Sequence, residues 1–111
     1  MSALLPTDAK ERKMYPIVTG VLDYFPSALL EIAKVSYLGN AQHNPGEPLH
    51  WARGKSIDQE DTAIRHFMER GETDTDNTEH MAKACWRMLA IFQLMLESKG
   101  APVARGAKES K

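Results

Sequence analysis

The chain has 111 residues, enough for one domain and too few for two. Its net charge of −1 excludes a general electrostatic pull toward nucleic acid or an anionic membrane, so a polyphosphate ligand would need a local group of cations. The lone cysteine, Cys85, rules out a disulfide within the chain, and no apolar run approaches the ~20 residues of a membrane span, so the expected setting is the cytoplasm.

Residues 1–14 are polar and read as irregular, without the apolar middle of a signal peptide. Pro16 opens a short helix to Tyr24. Pro26 sits in the first turn of a second helix, where its missing N–H costs nothing, and Gly39-Asn40 reads as a left-handed stop after Leu38. Residues 39–55 (GNAQHNPGEPLHWARGK) have loop chemistry, and a loop of that length in a small domain is usually functional or disordered. Ser56 with Gln59 gives a capping box for a third helix, which Gly71 ends. Asp76 with Glu79 repeats that signal for a last helix, from Asn77 to Ser98. Gly100-Ala-Pro stops it, and residues 99–111 read as a disordered tail behind a single domain, 1–98. No segment alternates with period two. The expected fold is all-α: a small bundle of three main helices plus a short N-terminal one.

Helical spacing sorts the side chains. The second helix is apolar nearly all round, which implies burial on most sides, with Ser27, Glu31 and Lys34 in one polar stripe. That stripe is either a solvent face or a carboxylate turned toward a metal or phosphate. On the third helix Ile57, Ile64, Phe67 and Met68 define the expected core arc. Asp61 falls at its edge, Asp58 and Arg65 lie beside Asp61, and Glu60 falls inside it. Two carboxylates three residues apart suit a shared cation, or else the pair is satisfied by Arg65. On the last helix Met81, Ala84, Cys85, Met88, Leu89, Phe92 and Met95 form a broad apolar face. His80, Lys83 and Arg87 lie on the other side, as a solvated basic strip or a phosphate clamp. Residues 88–92 are apolar all round, which suggests a covering partner such as another subunit. His43, His50, His66 and His80 are scattered with no H-E-x-x-H, there is no G-x-x-x-x-G-K-[ST], and Cys85 lies on a core face. A zinc hydrolase, a P-loop and a nucleophilic thiol are therefore not expected.

The blocks YPIVTGVLDYFPSALLEIAKVS, QHNPGEPLHWARGKSIDQEDTAIRH and DTDNTEHMAKACWRMLA resemble the phage dATP/dGTP diphosphohydrolase family over about residues 4 to 97. That family is similar to the MazG-like all-α nucleotide pyrophosphohydrolases, which carry E-x-x-E on one helix and E-x-x-D on the next around magnesium or manganese. Here the second pair stands as Asp58-Gln-Glu-Asp61 and the first only in part, as Glu31-Ile-Ala-Lys34, with Lys34 in place of a carboxylate. The resemblance implies hydrolysis of dGTP or dATP to the monophosphate and pyrophosphate, which in phages using 2-aminoadenine supplies dGMP and depletes dATP. It implies Mg²⁺ or Mn²⁺ held by Glu31, Asp58 and Asp61, with Glu60 as a substitute ligand. Candidates to hold the polyphosphate are Lys34, Arg65, Lys83 and Arg87. Asn44, His50 and Trp51 are candidates to bind the purine, with Trp51 either stacking on it or anchoring the loop. The implied partners are a purine deoxynucleoside triphosphate and further copies of the chain, as a dimer or tetramer, with no nucleic acid or membrane. The alternatives are a non-catalytic helical interaction protein and, last, a triphosphohydrolase of a different type.

Overall fold

The computed structural model describes residues 3–108. Helix α1 is a single turn, Ala9–Arg12, whose first turn is capped by the Asp8 carboxylate accepting from the Glu11 N–H at 3.0 Å. The short helix expected from Pro16 is a π-helical turn, Val18–Leu22, entered through a Gly20 N–H bond to the Pro16 carbonyl at 2.7 Å.

Helix α2 spans Pro26–His43 with Pro26 in its first turn. It runs five residues past the expected stop at Leu38. Gly39 is not in the left-handed region, whereas Gly46, Gly71 and Gly100 are, with φ of 81°, 93° and 108°. Side-chain amides set the actual end: Asn40 donates to the Glu47 carbonyl at 3.1 Å, and Asn44 donates to the Asn40 side-chain oxygen at 3.3 Å. Two amides tied to the following loop thus replace a glycine as the terminator.

The loop beyond α2 holds a two-residue strand, β1 (Trp51–Ala52), and a 3₁₀ turn, Arg53–Lys55. Strand β1 pairs in parallel with β2 (Ala107–Lys108), Trp51 opposite Ala107. Residues 101–108 are therefore no free tail; residues 109–111 lie outside the described chain. The chain turns back at Gly100, where the Ala101 N–H reaches the Leu96 carbonyl at 3.0 Å, and the Ala104 N–H reaches a Glu97 oxygen at 3.1 Å. The fold is mostly helical, and this small strand pair is its departure from an all-α chain.

Helix α3 spans Gln59–Met68 and α4 spans His80–Ser98. Helix α4 is the hub, packed closely on α3 and also on α2. Among the described residues the buried apolar side chains are small: Ala63 on α3 and Ala82, Ala84 and Ala90 on more than one face of α4. The expected large-residue core does not form within one chain. Ile57 is 95% exposed and Met68 74%, and Ile64 and Phe67 also face outward. On α4, Met81, Met88, Leu89, Phe92 and Met95 are exposed, and α2, expected to be buried on most sides, has no fully buried residue. The faces of α3 are exchanged relative to expectation: Gln59 and Ala63 are buried, and the apolar arc looks out. Small buried side chains let neighbouring helices approach closely, and the bulky side chains are then left for another surface.

Candidate functional site

A groove of about 930 Å³ opens between α2, the 44–56 loop and α4. Its size is in the range of small-molecule clefts. Asn44, His50, Trp51, Lys83 and Arg87 all line it, so three residues expected at a base and two expected at phosphates share one cavity.

Arg87 is the central charge. Burial pushes its guanidinium below the ordinary arginine range, and its bonded partners are neutral: Ser56 Oγ at 2.8 Å and Gln59 Oε1 at 3.0 Å. Those two residues are the ones whose spacing suggested a capping box. Helix α3 instead starts after Asp58 with no side-chain cap, and the Ser56 and Gln59 side chains both serve as acceptors for the half-buried guanidinium. Among the described residues no carboxylate pairs with Arg87 within 4.0 Å, so its charge is available to an anion.

Lys83 is differently placed. Its Nζ lies 2.7 Å from Asp74 Oδ2 and 2.9 Å from Asp76 Oδ2. Burial works against its charge, but these bonds hold its pKa above the ordinary value, and Lys83 in turn pulls Asp74 down to about 2. The turn before α4 is shaped for this contact. Asn77 takes φ 64°, and Asp76 accepts from the Thr78 N–H at 3.1 Å rather than capping the helix.

Trp51 is held on two sides, with the Arg53 guanidinium 4.4 Å from its ring centroid and the Trp86 ring edge-on at 5.9 Å. Trp86 is fixed by an indole N–H bond to Ser36 Oγ at 2.7 Å. Arg53 is clamped by Glu97 through a two-pronged bridge, one prong of 3.0 Å. Trp51 thus anchors the loop while also forming groove wall.

The remaining expected residues lie outside the groove wall. Lys34 donates to the Asn77 carbonyl at 3.1 Å and braces the turn before α4. Arg65 is exposed and reaches Asp58 at 3.4 Å and Thr62 at 3.0 Å. Glu31, Asp58, Glu60 and Asp61 are exposed, and Glu60 borders a separate shallow depression with Ile57 and Met95. Magnesium and manganese favour hard oxygen donors brought close together. Among the described residues, these four carboxylates do not form a group of three ligand atoms within 4.8 Å; His66, Asp74 and His80 do. The donor set present within one chain is two imidazoles and one carboxylate, which fits a transition metal better than magnesium.

The family model for dATP/dGTP diphosphohydrolase, N-terminal, matches residues 6–103. The chain belongs to this family. No curated protein and no solved structure matches the chain.

The diphosphohydrolase match spans every groove residue named above and the whole His66–Asp74–His80 group. Sequence reasoning missed Trp86, Gln59 as a wall residue, and that group. His66 lies on α3 and His80 opens α4, fourteen positions apart, so only the turn between the helices makes them neighbours. The available signal was the His80-Lys83-Arg87 spacing, which lies on the face now seen to turn inward.

Proposed function

We propose that this chain hydrolyses purine deoxynucleoside triphosphates, dGTP or dATP, to the monophosphate and pyrophosphate, with the nucleotide in the α2–α4 groove. Family membership supports the reaction class, and the observation that carries the site is Arg87. It is a half-buried cation with only neutral bonded partners, in the wall of a cavity whose other walls carry two indoles and several side-chain amides. Arg87 gives fixed donors to phosphate oxygens, while Ser56 and Gln59 hold its plane. Asn44, near the mouth of the loop, and the edges of Trp51 and Trp86 offer polar and flat surfaces to a base. A divalent metal, when bound, supplies phosphate neutralisation and an activated water. In a phage-infected cell, such an activity would reshape the purine nucleotide pool.

We further infer a homo-oligomer, dimer or tetramer. The exposed surface is 8570 Å². A compact monomer of this mass exposes about 6,100 Å². The excess is of the size that an obligate subunit interface removes, and Ile57, Met68, Phe92 and Met95 are among the exposed apolar side chains that such an interface would cover.

The site is tested by titrating the protein with a non-hydrolysable dGTP or dATP analogue and following tryptophan fluorescence. The expected result is saturable quenching with purines favoured over pyrimidines. In Arg87→Gln, which loses charged hydrogen bonds worth about 1.5–3 kcal/mol, affinity should fall roughly 10- to 100-fold. Unchanged affinity in that variant would remove the groove from consideration.

A further inference from the structure

The turn between α3 and α4 brings together two imidazoles and a carboxylate from three separate points of the chain. His66 Nδ1 and His80 Nδ1 are 2.9 Å apart, and Asp74 Oδ2 is 3.8 Å from His80 Nδ1. His80 is buried, while His66 and Asp74 are half-buried. His66 is also in the groove wall, as are Asp76 and Lys83.

We propose that His66, Asp74 and His80 bind one divalent transition-metal ion, of the cobalt or zinc type, at the edge of the groove. Three observations converge on this site. The first is metric. Two imidazole nitrogens bound to one such ion at about 2.0–2.1 Å stand about 2.9–3.4 Å apart for cis or tetrahedral angles, and the pair here is already at the lower bound. Asp74 Oδ2, 3.8 Å from His80 Nδ1, now accepts from Lys83 Nζ at 2.7 Å, and it joins the two nitrogens by sharing or releasing that ammonium, which keeps Asp76 as a partner at 2.9 Å. The second is charge. Asp74 and Asp76 set two negative charges against the ammonium of Lys83 and the Arg87 guanidinium, which His66 also feels, so with neutral imidazoles the cluster is close to neutral and does not repel a dication. The third is hydrogen-bonding capacity. When both rings are neutral, two facing Nδ1 atoms share one proton, and a metal satisfies both lone pairs at once. Two nitrogen donors and one oxygen rank cobalt and zinc far above magnesium. This leaves open coordination positions on the ion, beside a groove that carries the Arg87 charge.

The role of the ion in hydrolysis rests on the reading of the groove given above, but its binding does not. The test is therefore binding to the full chain, stripped with chelator and titrated with Co²⁺ and Zn²⁺ by calorimetry and by the visible spectrum of bound cobalt. The expected result is about one ion per chain, not displaced by millimolar Mg²⁺. Affinity should fall at least about 100-fold in His66→Ala and in His80→Ala, and stay unchanged in His43→Ala, His50→Ala and Asp58→Asn/Asp61→Asn. Because loss of a buried histidine could unfold the turn, the wild-type protein is also loaded with Cu²⁺ and examined by electron paramagnetic resonance. Nitrogen hyperfine structure from two imidazoles supports the site, whatever the nucleotide assay returns. Absence of binding to the wild type, oxygen-only coordination, or equal affinity in folded His66→Ala would overturn it and leave the hydrolase reading to stand or fall on its own products.

Discussion

Arg87 and Glu97 show how differently two charges on one helix are used. Arg87 keeps neutral partners, and its charge faces the groove. Glu97 spends its charge on structure: Arg53 foremost, then Gln93 at 2.8 Å, and the Ala104 N–H, hold its pKa down to about 2 from an ordinary 4.5. A carboxylate depressed in the folded state stabilises the fold above its unfolded pKa, and that stability is lost as pH falls toward the folded value. The clamp that joins the Trp51 loop to α4 and the C-terminal segment is therefore intact above about pH 4.5 and weakens between there and about pH 2. Thermal melting of wild type and Glu97→Gln across that range checks it. The wild type should be the more stable at pH 6, and the gap should close as pH approaches 2. A gap independent of pH would mean that Glu97 acts through packing alone. Asn44, His50, Trp51, Lys83 and Arg87, singled out in the sequence, line one groove, but spacing alone left Lys83 and Arg87 open between a solvated strip and a phosphate clamp, and Trp51 between a base and a loop anchor. His66, Asp74 and His80 were not legible, because their proximity is made by a turn and no local spacing encodes it.

Helices α2 and α3 show what periodicity leaves undetermined. The existence of both helices, the Pro26 start of α2 and the Gly100 turn after α4 follow from local chemistry and were readable. Which face of α3 packs on α4 was not, because a strip of Gln59 and Ala63 competes with a strip of Ile57, Ile64 and Phe67, and the bond from Arg87 to Gln59 together with the small Ala63 turns the first strip inward. The end of α2 is a similar contest, won by the Asn40 and Asn44 amides over the glycine signal. Gly39 then sits inside a helix, and a methyl group added there meets no atom within 4 Å. Gly39→Ala should stabilise the chain by about 0.5–1 kcal/mol, raising the melting temperature by a few degrees. Were Gly39 the left-handed stop suggested by its sequence, the same change would destabilise, so one melting curve separates the two conformations. The C-terminal segment was read as a free tail because Ala, Gly and Lys carry no pattern. It is held instead by backbone pairing to β1 and by Glu97.

At the scale of the molecule, the apolar arcs that sequence periodicity assigns to a core exist, but one chain does not cover them. Ile57 just before α3, Ile64 and Phe67 on α3, and Met88, Phe92 and Met95 on α4 all face outward. This is the physical reason that a 42% hydrophobic chain has a core of alanines. Light scattering after size exclusion should return a dimer or tetramer, and Ile57→Glu with Met95→Glu, which places charge beside Glu60, should lower the assembled mass. A monomer at micromolar concentration would contradict the oligomer. The central claim is chemical and is tested most directly by product analysis. The purified chain is incubated with dGTP, dATP, dCTP and dTTP in turn, with Mg²⁺, Mn²⁺ or Co²⁺, and the products are resolved by anion exchange. The account predicts purine monophosphate and pyrophosphate in equal amounts, with pyrimidines spared. Nucleoside plus triphosphate, or no turnover with any nucleotide and metal, would contradict it.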